Sequence, residues 1–171
     1  SNNFSTTSGN YLTIANNAAF TLGNTYTVEC WIFRTADDNG TIVGRWYMGD
    51  RSAWLMHIYN GGKLAFGSGA GGYSDTGPTV IPLNTWTHLA VSNDTTSKRL
   101  YVNGVLDATF GSDNINLLGT LPLNICQNDG GGFGVRCFIS NLRIVKGTAL
   151  YTTTFTPPTS PLTAITSTQL L

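Results

Sequence analysis

Glu29 is the single glutamate in a chain of 171 residues, and eight aspartates complete its acidic complement. Acid–base cleavage of a glycosidic bond needs two carboxyl groups facing each other across about 5–9.5 Å. No strand-like run here carries two acids two residues apart: Glu29 shares its face with Thr27 and Trp31, while Asp37, Asp38 and Asp50 fall in turn-like segments. No catalytic residue is expected, and the chain reads as a non-enzyme. His57 and His88 lie on different runs, no serine occupies a G-x-S-x-G elbow, and Cys30 sits on an apolar face, so no nucleophilic relay is legible. His88 is expected to donate to a backbone carbonyl in the interior. His57 alternates with Leu55 and Tyr59 and is a candidate for ligand contact on an open face.

Cys126 and Cys137 bracket the segment QNDGGGFGVR. Folded back as a hairpin in register, it makes the two thiols cross-strand neighbours able to form a disulfide, worth about 3 kcal/mol through chain entropy. Two reduced, partly buried thiols are the other reading. Cys30 is left over as a small core hydrophobe, and no C-x-x-C or Cys/His spacing points to zinc.

The aromatic residues carry the strongest chemical suggestion. Trp46, Tyr47, Trp54, Tyr59 and Tyr73 cluster around the glycine-rich segments YMGDRS and GSGAGGYSDTG. Sugar rings lay their C–H faces on such rings while nearby polar groups meet the hydroxyls. Trp31 and Trp86 are assigned to the core, whereas for Trp46 and Trp54 core and ligand roles both stand open.

The elements that must position these residues are strands. YTVECWIF (26–33) alternates with period two, as do YLTI, TIVGRWYM, AWLMHIY, KLAFG, TWTHLAVS, RLYV, VLDATF, LPLNIC and VRCFISNLRIV, about ten runs in all. Asn103-Gly104 between RLYV and VLDATF predicts a two-residue type I′ hairpin, which needs positive φ at both positions. Asn60-Gly61-Gly62 joins AWLMHIY to KLAFG in the same manner. Helical turns are expected only around 16–20 and 148–151. Strands with turns about every ten residues and no βαβ alternation imply an all-β, two-sheet antiparallel β-sandwich of jelly-roll type. Residues 1–171 read as one domain, with 152–171, which holds three prolines, an extended C-terminal strap.

Nine basic and nine acidic residues cancel, so no electrostatic footprint for nucleic acid is present. No apolar run approaches the ~18 residues of a membrane span, so membrane insertion is not expected. The chain begins with Ser1, from which a missing leader or upstream region is expected. Charged residues are 11% of the chain, against about 25% in ordinary domains; 25 Thr, 16 Asn and 12 Ser solvate the surface instead.

YLTIANNAAFTLGNTYTVECWIF, NTWTHLAVSNDTTSKRLYVNGVLDATF and FISNLRIVKGTALYTTTFTPPTSPLT together resemble successive parts of a laminin-G-like, concanavalin A-like jelly-roll domain. The run SNLRIVKGTALY with its proline-containing tail is similar to modules of bacteriophage virion appendage proteins. The resemblance implies two stacked sheets of five to seven strands, with ligands on a concave face or on rim loops. Hydrolases of that superfamily place two acids at alternating positions of one strand, which this sequence lacks. The resemblance pairs the strand of Glu29 with the C-terminal strand, implying a structural Glu29–Arg143 ion pair with hydrogen bonds to Asn141. Relatives also carry calcium at rim sites; Asp75, Asn128 and Asp129 could supply a weak one here or be solvated loop residues, and no cofactor is required. The expected function is lectin-like glycan binding on a virion or extracellular surface. The alternative is a structural or decoration component of a phage particle or fibre contacting other virion proteins; a glycoside hydrolase ranks third.

Overall fold

The computed structural model describes residues 2–4, 10–47, 54–69, 74–116, 119–127 and 133–171, which hold thirteen strands, β1 to β13 in chain order. One sheet runs β1 (Asn2–Phe4), β12 (Cys137–Lys146), β3 (Tyr26–Arg34), β8 (Trp86–Asn93), β9 (Ser97–Val102) and β10 (Val105–Gly111), with β13 (Thr168–Leu170) also paired to β12. The other runs β2 (Leu12–Ile14), β11 (Leu123–Ile125), β4 (Gly40–Arg45), β5 (Trp54–Tyr59), β6 (Lys63–Ser68) and β7 (Ser74–Val80). Neighbouring strands in both are antiparallel. The fold is the expected all-β sandwich.

Alternation decides which side chains meet between the sheets. Tyr26, Val28, Cys30 and Ile32 of β3 are fully buried and join Trp54, Met56 and Ile58 of β5 and Leu64 and Phe66 of β6 in one core. Each such side chain contributes about 1.5–3 kcal/mol through its removal from water. Tyr26 and Trp54 both stack on Phe66, with centroids 5.6 and 6.0 Å away. Lys98 of β9, 1% exposed, bolts the layers together. Its Nζ lies 2.8 Å from Asp75 Oδ2 on β7 and 2.5 Å from Asp113 Oδ2, over the Phe66 ring.

The β9–β10 hairpin turns through Asn103 and Gly104 at φ 50° and 76°, both positive as a type I′ turn requires. Ala18–Phe20 forms a 3₁₀ turn capped by the Asn17 side chain, whereas residues 148–151 form no helical turn. Three strands have no counterpart among the alternating runs: β1 and β13 are three residues long, and β7 contains Gly77 and Pro78, which only an edge strand tolerates.

The strap expected at 152–171 begins earlier and ends sooner: residues 148–163 cross the outer face of the seven-stranded sheet, whereas Thr168–Leu170 pair with β12 as β13. Leu150 N donates to Thr27 Oγ1, Phe155 N to Gly104 O and Trp31 Nε1 to Pro158 O, at 2.9, 2.9 and 3.0 Å. Trp31 and Trp86 therefore belong to this outer face and not to the core. Trp86 is 40% exposed and packs on Phe33. Their strand positions have the parity of Glu29 and His88, opposite to that of the core residues.

Candidate functional site

On the outer face of the seven-stranded sheet, register places Arg143 opposite Glu29. Arg143 donates from Nε and Nη2 to Glu29 Oε1 at 2.8 and 2.5 Å. Glu29 Oε2 accepts from the Tyr151 hydroxyl at 2.8 Å and lies 3.1 Å from His88 Nε2. His88 thus meets a carboxylate, not the backbone carbonyl expected. Asn141 takes no part: a bulge between Ser140 and Arg143 turns it to φ 51°, and its Nδ2 donates to Ser160 O. Burial drives the Glu29 carboxyl upward, but the hydrogen bonds from His88, Arg143 and Tyr151 outweigh it and hold the group below the usual carboxylate range. With both oxygens engaged beneath the strap, Glu29 ties sheet and strap together.

The outer face of the other sheet is different. Leu55, His57 and Tyr59 of β5 point away from the core, and together with Trp46, Ser74 and Phe133 they line a cleft of about 130 Å³. The residues paired with His57 on either side are Thr41 and Ala65, small enough to leave the imidazole at the floor. The ring stacks against Tyr59 at 5.4 Å and faces Phe133 at 6.4 Å. His57 Nε2 lies 2.8 Å from Ser74 Oγ, while His57 Nδ1 and Thr41 Oγ1 are buried without a protein partner. Burial lowers the imidazole pKa to about 4. At neutral pH the cleft therefore offers an uncharged imidazole with an unused nitrogen, a hydroxyl, and aromatic walls, one of which, Tyr59, is 44% exposed.

Of the expected ligand contacts, Trp46, His57 and Tyr59 converge here. Trp54 does not: it is fully buried and donates from Nε1 to Phe20 O, a core residue by strand parity. Tyr47 is 58% exposed and lies outside the lining. Asp75 is engaged by Lys98, whose ammonium occupies the space between two carboxylates that a cation would need. Among the described residues no three His, Cys, Asp or Glu side chains gather into a metal site. Tyr73, Asn128 and Asp129 lie outside the described residues. Cys126 and Cys137 are free thiols with Sγ atoms 3.7 Å apart. They are not hairpin neighbours, because Cys126 follows β11 in one sheet and Cys137 opens β12 in the other; they meet across the sandwich. Sequence reasoning missed Ser74, Leu55 and Phe133; the lone aromatic in GGGFG was the available signal for the last.

A roomier groove of about 520 Å³ opens at the sandwich edge between β2 and the β12–β13 pair. Its lining of Leu12, Ile14, Ile139, Leu142 and Leu170 offers no aromatic plate and no titratable group, so the smaller cleft is the better match to a polar ligand.

The profile of the concanavalin A-like lectin/glucanases superfamily (laminin G type) matches residues 6–150. The chain belongs to that superfamily. Among curated proteins none matches this superfamily member. Among solved structures, the domain resembles a Bacteroides ovatus protein described as carbohydrate binding (TM-score 0.65, 21% identity, 87% of this chain and 43% of that one). It also resembles domain 4 of the extracellular arabinanase AbnA from Geobacillus stearothermophilus, solved with arabinotriose (0.55, 18%, 84% and 86%). A third is tailspike protein 2 of Escherichia coli O157:H7 bacteriophage CAB120 (0.58, 12%, 84% and 22%). The superfamily domain thus spans less than half of the Bacteroides and tailspike chains, and at these identities the likeness is one of fold.

Proposed function

We propose that the chain is a non-catalytic glycan-recognition module that seats a sugar residue in the Trp46–His57–Tyr59–Ser74–Phe133 cleft. The observation that carries this reading is the pairing of an exposed aromatic wall with a buried, neutral imidazole whose Nδ1 has no protein partner. A polyol satisfies both halves: C–H faces cover the rings, and a hydroxyl supplies the partner that a buried polar group needs. Structures of similar fold solved with arabinotriose or described as carbohydrate binding support the ligand class. Such a module acts where glycans are displayed, on an extracellular or virion surface, and that is where we place it. The state of the acids supports a binding role over hydrolysis: every described acid except Asp107 has a cationic partner.

A glycan array followed by calorimetry on the best hit tests the proposal. Tyr59→Ala and His57→Ala should each weaken binding by about tenfold or more, equivalent to ~1.4 kcal/mol, while Tyr47→Ala on the adjacent surface leaves it unchanged. A flat array at high protein concentration, or equal losses for all three variants, would overturn it.

A further inference from the structure

We propose that Cys126 and Cys137 form a reversible disulfide that staples the base of the segment presenting Phe133 to the cleft. The two Sγ atoms, 3.7 Å apart, need to approach by about 1.7 Å to reach bonding distance. Each sulfur is held by a different sheet, so the bond would join the layers at this end.

Cys126 and Phe133 both lie beside β4. Cys126 N donates to Ile42 O at 2.9 Å, and Thr41 N donates to Phe133 O at 2.8 Å. Gly134 sits so close to the Cys126 carbonyl that a Cβ there has no room, and Gly40 packs on Gly134 in the same way. Cys126 and Phe133 hold φ of 63° and 59°, a region that side chains with a Cβ seldom adopt unless their surroundings enforce it. The backbone bonds to β4 and the glycine contacts hold this conformation while the thiols are free, and a covalent tie at the base would add to them. It would fix the ring standing 6.4 Å from His57.

The reaction is two-electron thiol–disulfide exchange with a low-molecular-weight or protein disulfide as oxidant. One thiolate attacks the oxidant to give a mixed disulfide and release one thiol. The second thiolate then displaces the other half, so both protons leave the cysteines and the oxidant is reduced to two thiols. Burial pushes the Cys126 thiol up, and both sulfurs are buried, so exchange requires local opening or precedes closure of the sandwich. Cys30, sealed in the core, stays reduced. The effect on the cleft rests on the glycan-binding reading above; the bond itself does not.

The full chain, equilibrated with oxidised glutathione, denatured and treated with N-ethylmaleimide, should carry one adduct, rising to three after prior reduction. Three adducts before reduction, or a peptide map placing Cys30 in the bridge, would overturn the assignment. Reduction should lower Tm by roughly 6–12 °C and leave the Tm of Cys126→Ser and Cys137→Ser unmoved. It should also speed hydrogen exchange of the Thr41 amide, the donor to Phe133 O, by about tenfold or more. A bond that forms without changing Thr41 exchange would disprove the stapling of the segment, whether or not any glycan binds.

Discussion

His57 is neutral at physiological pH because the interior of the cleft excludes the water that would solvate its charge. Its folded-state pKa of about 4 lies below the ~6.5 of an unfolded chain, so the unfolded state binds its proton first as the pH drops. The stability contributed by the neutral ring is complete above about pH 6.5 and drains away as the pH falls toward 4. Between pH 7 and 5 this costs about 2 kcal/mol. Denaturant unfolding at the two pH values should register the loss, and His57→Gln should flatten the slope by that amount. At this scale the sequence was legible only to the degree that strand parity was. In AWLMHIY both faces are apolar, so nothing local distinguishes Trp54, which is sealed in the core, from Leu55, which looks into the cleft. His88 was unreadable for a different reason: its partner Glu29 is 59 residues away and is joined by Tyr151 from the strap.

Hairpins and edges behaved oppositely at the level of elements. Asn103-Gly104 encodes its turn in two residues, and β3 its alternation in nine, so both could be read directly. β7 could not, because its Gly77 and Pro78 suit a strand only when one edge is left unpaired, a fact set by the sheet and not by the segment. The strap depends on the same hairpin. Gly104 accepts from Phe155 N, and a Cβ at Gly104 would press into the Phe155 carbonyl. Gly104→Ala also forces an L side chain to φ 76°. We expect it to destabilise the protein by about 1–3 kcal/mol and to raise hydrogen exchange of the Phe155 amide ahead of global unfolding. Exchange at Phe155 unchanged from the wild type would show that the strap does not lean on the turn.

For the whole molecule, nine cations against nine anions leave little long-range field, and the cleft lining carries no formal charge at neutral pH. Association with a neutral glycan should therefore be nearly independent of ionic strength. Raising salt from about 50 to 500 mM, which shortens the screening length severalfold, should change the measured affinity less than twofold. A steep salt dependence would point to an acidic ligand and a different surface. One further property follows from the way β1 and β13 share the same neighbour. Asn2 lies opposite Ile139 and Leu170 opposite Ile144, and both strands run antiparallel to β12. β1 and β13 thus lie head to tail along β12, five positions apart. A short peptide joining them would close the polypeptide into a ring with an almost continuous edge strand, and the sandwich could be reopened at a hairpin such as Asn60–Gly62 as a circular permutant of unchanged architecture.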